Sequence, residues 1–378
     1  MGALPMSAQA RVNLLGTCRR RRRRGATWQH WTLATAVVLI VVLLTMALVP
    51  SLIKGGQTTV TITNADRLAS IPSWAPKYTP GNDTHPPVLH SDGWQRPIPV
   101  PGPIDTAGAE DSPFITPDGN WFFFFFTPNL RIPAAQQLGD GVTGIWWSTR
   151  VGGSWSEPTR VNLGSTQSLD GCEFVQGSTM WFCSARVGNY RAVDIYTAEY
   201  LNGGWTEVKN AGKTLNLEYQ VGELAISPDN ATMYYGSNGQ IWALDRTPGN
   251  WTDPHLVPGV QVTTGENQPF VTPDGKQLWF TGNSLLGYPG PAIFCSTWNG
   301  TGWQGPVEVV SQFAGEPALD SDGNLYFVHH FLDSNGSIAE ADIYVAYRNP
   351  GAAPLPTLEP QSLPWFWVRP SDLPLSQP

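Results

Sequence analysis

Five short stretches each set a carboxylate just ahead of a run of strand-forming residues. They are "AEDSPFI" with Glu110 and Asp111, "LDGCEFV" with Asp170, "GELAI" with Glu223, "ENQPFV" with Glu266 and "GEPAL" with Glu316. Carboxylates in such a set can accept hydrogen bonds from backbone amides and fix loops. They can ligate a hard cation such as Ca²⁺ through oxygen, although no compact calcium-loop motif is present. They can also divide into one charged and one protonated member, as acid–base hydrolysis requires. Alternate residues of a strand face the same way. Counted from Phe114, Phe174, Ala225, Phe270 and Ala318, the acids Glu110, Asp170, Glu223, Glu266 and Glu316 share one parity, and Asp111 and Glu173 have the other. That parity predicts a five-membered ligand-binding ring that excludes Asp111.

The elements that must position these acids repeat. "FITPDGNWFF" is echoed by "FVQGSTMWFC", "AISPDNATMYY", "FVTPDGKQLWF" and "ALDSDGNLYF", each read as strand, tight turn, strand. An isoleucine–aromatic mark follows at Ile145, Ile195, Ile241, Ile293 and Ile343, spaced by 50, 46, 52 and 50 residues. A tryptophan mark stands at Trp94, Trp155, Trp205, Trp251 and Trp303. A period near 50 with four strands per unit predicts an all-β, five-bladed β-propeller over residues 90–348. The tryptophan mark precedes the first hairpin and is missing after the last. The strand near Trp94 is therefore expected to complete the last blade and close the ring. The aromatic run "WFFFFF", Trp121 to Phe126, becomes the second strand of the first blade, covered on both faces.

These marks resemble the TolB-type, WD-like propeller repeats, on "ITPDG", "DIY" at Asp194 and Asp342, and "SWSEP". The resemblance implies a binding platform, an assembly partner or an enzyme, and fold alone does not choose among them. "VQGST" and "SPDN" depart from the pattern in the second and third blades. The order Asp111, Asp170, Glu223 also resembles the carboxylate triad of five-bladed arabinanase-type glycosidases. That resemblance implies base, orienting and acid roles respectively.

Composition fits an all-β chain with an appended N-terminus. The 378 residues include 34 Pro, 39 Gly and 17 Trp, and only 14% are charged. Six arginines, Arg19 to Arg24, precede an uncharged run from Trp31 to Ile53. About 20 apolar residues span a bilayer, and the arginines hold their side in the cytoplasm. The expected order is a cytoplasmic tail (1–30), a single-pass signal anchor (31–53), a Pro/Thr/Gly-rich stalk (54–89), the extracytoplasmic propeller (90–348) and a proline-rich tail (349–378). Eight of the 22 bases precede residue 55, so the remainder carries 14 bases against 30 acids, a net charge of −16. This excludes non-specific nucleic-acid binding and leaves a protein or glycan ligand as the expected partner.

Other constellations are sparse. If Val175 pairs with Met180, the same register opposes Cys172 and Cys183, a disulfide candidate outside the cytoplasm. The alternative is two small buried thiols. Cys18 beside the arginines suggests palmitoylation. His329 and His330 are adjacent on a strand and point to opposite faces, so they do not share a metal. No nucleophile elbow, phosphate loop or zinc pattern occurs, and no resident cofactor other than Ca²⁺ is suggested.

Overall fold

A computed structural model describes residues 62–165, 167–261 and 265–352. The cytoplasmic tail, the anchor, Cys18 and most of the proline-rich tail lie outside the described residues. Among the described residues, no helix is long and apolar enough to cross a membrane.

Five antiparallel sheets form five blades. The inner strands are Ala109–Ile115, Ser168–Gln176, Leu224–Ile226, Asn267–Val271 and Ala314–Leu319. Each pairs with the strand across its tight turn: Trp121–Thr127, Thr179–Arg186, Thr232–Ser237, Gln277–Asn283 and Leu325–Leu332. The turns show why the repeat tolerates variation. The backbone angle that turns the chain falls on Gly119, Gly275 and Gly323 in three blades, on Gly177 in the second and on Asn230 in the third, all with φ between 59° and 77°. Asn is among the few residues that adopt this conformation readily. The aspartate of the motif closes the turn, Asp118, Asp229 and Asp274 each accepting an amide proton from two residues on, at 3.0–3.1 Å.

The aromatic run fills the seam between blades. Trp121 to Thr127 are all buried except Phe125, which is partly so. Trp121 stacks on Trp147 at 4.4 Å, Phe122 meets Tyr326 of the last blade at 5.3 Å, and Phe114 meets Phe174 of the second at 5.4 Å. A β-carbon on Gly171 would stand 3.0 Å from the Phe125 ring, so that inner strand packs close only because it carries glycine there. The tryptophan mark has a physical basis too. Arg348 lies over Trp94, Arg150 over Trp155 and Arg246 over Trp251, at 4.2–5.0 Å.

The N-terminal segment supplies outermost strands to two blades. Val88–Leu89 pairs with Val307–Ser311 of the fourth, and Ile98–Pro99 pairs with Ile338–Ala346 of the fifth. Trp94 bridges to Arg348. From residue 62 onward, the region assigned by composition to a stalk is docked on the ring. Its short helix, Asn64–Ser70, is capped by Thr63 and Asp66 and drives Arg67 into the core.

Candidate functional site

The five acids do not form one ring, because each of four inner strands carries a bulge. The register slips between Asp111 and Phe114, Gly171 and Phe174, Asn267 and Phe270, and Gly315 and Ala318. At each slip one non-glycine residue takes a left-handed conformation: Ser112, Cys172, Gln268 and Glu316, with φ of 50–56°. An extra residue resets the alternation of faces. Strict parity therefore fails, and acids on either side of the bulge go to different places.

Glu110 and Asp170, before the bulge, are buried and held within the frame. Arg67 Nη2 donates to Glu110 Oε1 at 2.6 Å, and both side chains are fully buried. Burial pushes the Glu110 carboxyl up to about 7, against the pull of Arg67. Arg67 also donates to the carbonyls of Pro103 and Ile104 and stacks on Phe126 at 4.5 Å. Asp170 accepts from Arg186 Nη2 at 2.7 Å, Ser184 Oγ at 2.6 Å and Ser168 Oγ at 2.8 Å. Glu266 is wholly buried, its backbone amide donating to the Gly239 carbonyl. For Glu110 and Asp170 the reading as fixers of local structure is the one their contacts match.

Beyond the bulge, a second set faces a cavity of about 50 Å³ walled by all five inner strands. Ser112, Cys172, Glu223, Gln268 and Glu316 occupy the equivalent position of the five blades, and Glu173 joins them where other blades carry Pro113, Leu224, Pro269 and Pro317. Gln268 Nε2 donates to Glu316 Oε1 at 2.6 Å, and Cys172 Sγ lies 3.3 Å from Glu223 Oε1. Asp111, which parity had excluded, acts electrostatically on this set. Burial raises Glu316 well above the usual carboxylate range, and the charges of Asp111 and Glu223 add to the rise. Burial lifts Glu223 to about 7, opposed by its bonds with Cys172 and Gln268 and helped by Asp111. Glu173 is raised well above the usual range by burial, then by Asp111 and Glu223. Among the described residues, neither of its oxygens meets a donor from another residue. Phe114, Phe174 and Phe270 line the same cavity.

A neighbouring cavity, also about 50 Å³, shares Gln268 and Glu316 and adds Asn267, Phe313 and His330. The two histidines diverge as adjacent strand residues must. His330 faces this cavity, where burial lowers its pKa despite Asp111. His329 bonds Asp83 of the docked segment at 2.9 Å.

The cysteine register needs correction. Val175 does oppose Met180, but the bulge places Cys183 opposite Gly171 rather than Cys172. Both thiols are free. Contact with Cys183, followed by burial, holds the Cys172 thiol well above its usual range.

Among the described residues, one set of three acids brings ligand atoms within 4.8 Å of one another: Asp105, Glu110 and Asp342. It already holds cations of the chain itself. Lys77 Nζ lies 2.6 Å from Asp105, 2.6 Å from Asp342 and 2.9 Å from Glu340. Sequence reasoning missed Arg67, Lys77, Asp83, Ser112 and Gln268. It had noted Glu173 only to set it aside on parity.

No known protein family matches this chain, and no curated protein matches it. Several solved structures align with part of this chain. TolB from Acinetobacter baumannii aligns at 14% identity and a TM-score of 0.36, over 64% of this chain and 55% of that one. An α-L-arabinofuranosidase from Podospora anserina aligns at 15% and 0.41, over 67% and 95%. The catalytic domain of a GH62 α-L-arabinofuranosidase from Coprinopsis cinerea aligns at 13% and 0.45, over 71% and 100%. At these identities and TM-scores the likenesses carry no argument about this chain. By its own strand order, the chain is an all-β, five-bladed propeller.

Proposed function

We propose that this chain is a membrane-anchored, extracytoplasmic binding module that takes a polar ligand in its acidic central channel. The observation that carries the reading is Glu173. It is a buried carboxyl lining the channel cavity whose oxygens, among the described residues, meet no donor from another residue, although native proteins pair nearly all buried polar groups. A ligand that supplies donors there would be bound by need rather than by chance. The net charge of −16 beyond residue 54 directs the search away from nucleic acid. The test is thermal melting of the full chain in detergent with Ca²⁺, with EDTA, and with panels of glycans and peptides. A ligand of the folded state raises the melting point by mass action, and Glu223→Gln should remove the shift. The absence of any shift across all panels rejects the reading.

A second reading, glycoside hydrolysis, is favoured by one specific feature. Glu223, lifted to about 7, can hold a proton while sharing a cavity field with Asp111. Asp170 would contribute only as frame, since Arg186 and two serines occupy it. Sugar release lost in both Asp111→Asn and Glu223→Gln, with melting unchanged, would promote this reading.

A further inference from the structure

We propose that the channel's ligand is a primary ammonium group on an unbranched alkyl stem, a class that includes a partner's lysine side chain and free alkyl diamines. The inference rests on the binding reading above and names the ligand for it. Glu173, 5% exposed, lines the cavity with both oxygens lacking a donor from any other described residue. Glu223 and Glu316 stand on the same wall. An ammonium brings three donors and a positive charge to such a group of acceptors.

A bare metal ion suits the channel less well. Among the described residues, the acids close enough to chelate are Asp105, Glu110 and Asp342, which lie outside it. At that denser cluster the protein uses an amine, Lys77 reaching three carboxylates, with Arg67 on Glu110. The chain's own answer to clustered acids is therefore a cationic side chain.

Shape agrees with charge. The cavity, about 50 Å³, is far below the roughly 300–1,000 Å³ of whole small-molecule pockets. It admits the end of a slender chain rather than a sugar ring. The rings of Phe114, Phe174 and Phe270 line the cavity and offer apolar contact to the methylenes of the stem.

Titration calorimetry of the full chain in detergent tests this with four probes: 1,5-diaminopentane, Nα-acetyl-lysine methylamide, its Nε-acetylated form, and CaCl₂. Both amines should bind, and the Nε-acetylated form, which has lost its charge, should not. Burial keeps Glu173 protonated in the free protein, so the entering ammonium displaces that proton to solvent, and loss of the resulting charge-assisted contact in Glu173→Gln should weaken binding roughly tenfold or more. Glu316→Gln provides a second variant should Glu173→Gln fold poorly. Tighter binding of the lysine probe points to a polypeptide ligand, and tighter binding of the diamine to a free one. The proposal falls if neither amine binds, if the Nε-acetylated form binds equally, or if both variants bind as wild type does. Should CaCl₂ or a glycan bind instead and be lost in Glu223→Gln, the ammonium assignment falls while the binding reading stands. If these probes and the glycan and peptide panels all fail to bind, both fall.

Discussion

Replacing Arg67 with methionine tests whether the docked N-terminal segment is part of the folded ring. Arg67 and Glu110 are fully buried and meet at 2.6 Å. Methionine keeps much of the stem's contact with Phe126 but removes the charge. Glu110 then stays buried with Thr106 still bonded to it, and the Pro103 and Ile104 carbonyls lose a donor. Breaking one side of a buried ion pair costs about 3–5 kcal/mol. For a domain of this size that is a fall of roughly 5–10 °C in melting temperature. The pH dependence has a definite sign. Burial already lifts Glu110 to about 7 with Arg67 present, so without Arg67 its pKa rises further. Between the unfolded value and that raised one, the folded state binds the extra proton. Stability therefore falls as pH rises through this window, by up to about 1.4 kcal/mol per unit. Urea unfolding of the full chain at pH 5 and pH 8 should show Arg67→Met more damaging at pH 8. Adding Glu110→Gln should recover part of the loss. A deficit under about 1 kcal/mol, or one equal at both pH values, would refute the reasoning.

Three further outcomes follow from the same geometry. Lys77→Met leaves Asp105, Glu340 and Asp342 facing one another. Lys77 is 31% exposed, so the loss should be about 1–3 kcal/mol; it should shrink on acidification, because burial and Asp105 hold Asp342 well above its usual range, and urea melts at two pH values decide it. Glu223→Gln should stabilise the fold above pH 7, since wild type loses stability as pH rises from about 4.5 to about 7 while the folded state keeps that proton. The interval is worth at most about 3 kcal/mol, and screening at a half-buried site leaves about 1–2, so a variant that melts lower than wild type at pH 8 contradicts the assignment. Cys172, its thiol held protonated by Cys183 and burial, should resist a thiol-specific disulfide reagent at pH 7.5 until the chain is denatured; stoichiometric labelling of the native protein, mapped to Cys172 by mass spectrometry, would contradict that.

The propeller was legible because its marks have independent physical causes: turn residues at Asp118 and Gly119, cation–π-stacked tryptophans, and a buried aromatic strand. The site was only half legible. Parity placed Glu110 with Glu316 because alternation is the default for a strand. The bulges that break it sit at Ser112, Cys172, Gln268 and Glu316, residue types without the glycine or asparagine that marks such backbone. All five acids were therefore assigned a shared face that only Glu223 and Glu316 have. The docked segment was misread for a related reason. Its cohesion comes from long-range contacts, among them the Arg67–Glu110 and Lys77–Asp342 ion pairs and the His329–Asp83 hydrogen bond, whose partners are far apart in sequence, and its proline-rich composition matches that of a linker.

The recurrent bulge separates two tasks that a regular strand would confound. Frame contacts are made by residues on either side of it, whereas the residue at the slip, or Glu223 in the third blade, presents its side chain to the axis. The five blades thus behave like five dials on one shaft, now set to serine, cysteine, glutamate, glutamine and glutamate. Each dial is a side chain on a separate blade, so the lining of the axis is set blade by blade at five independent points of the sequence.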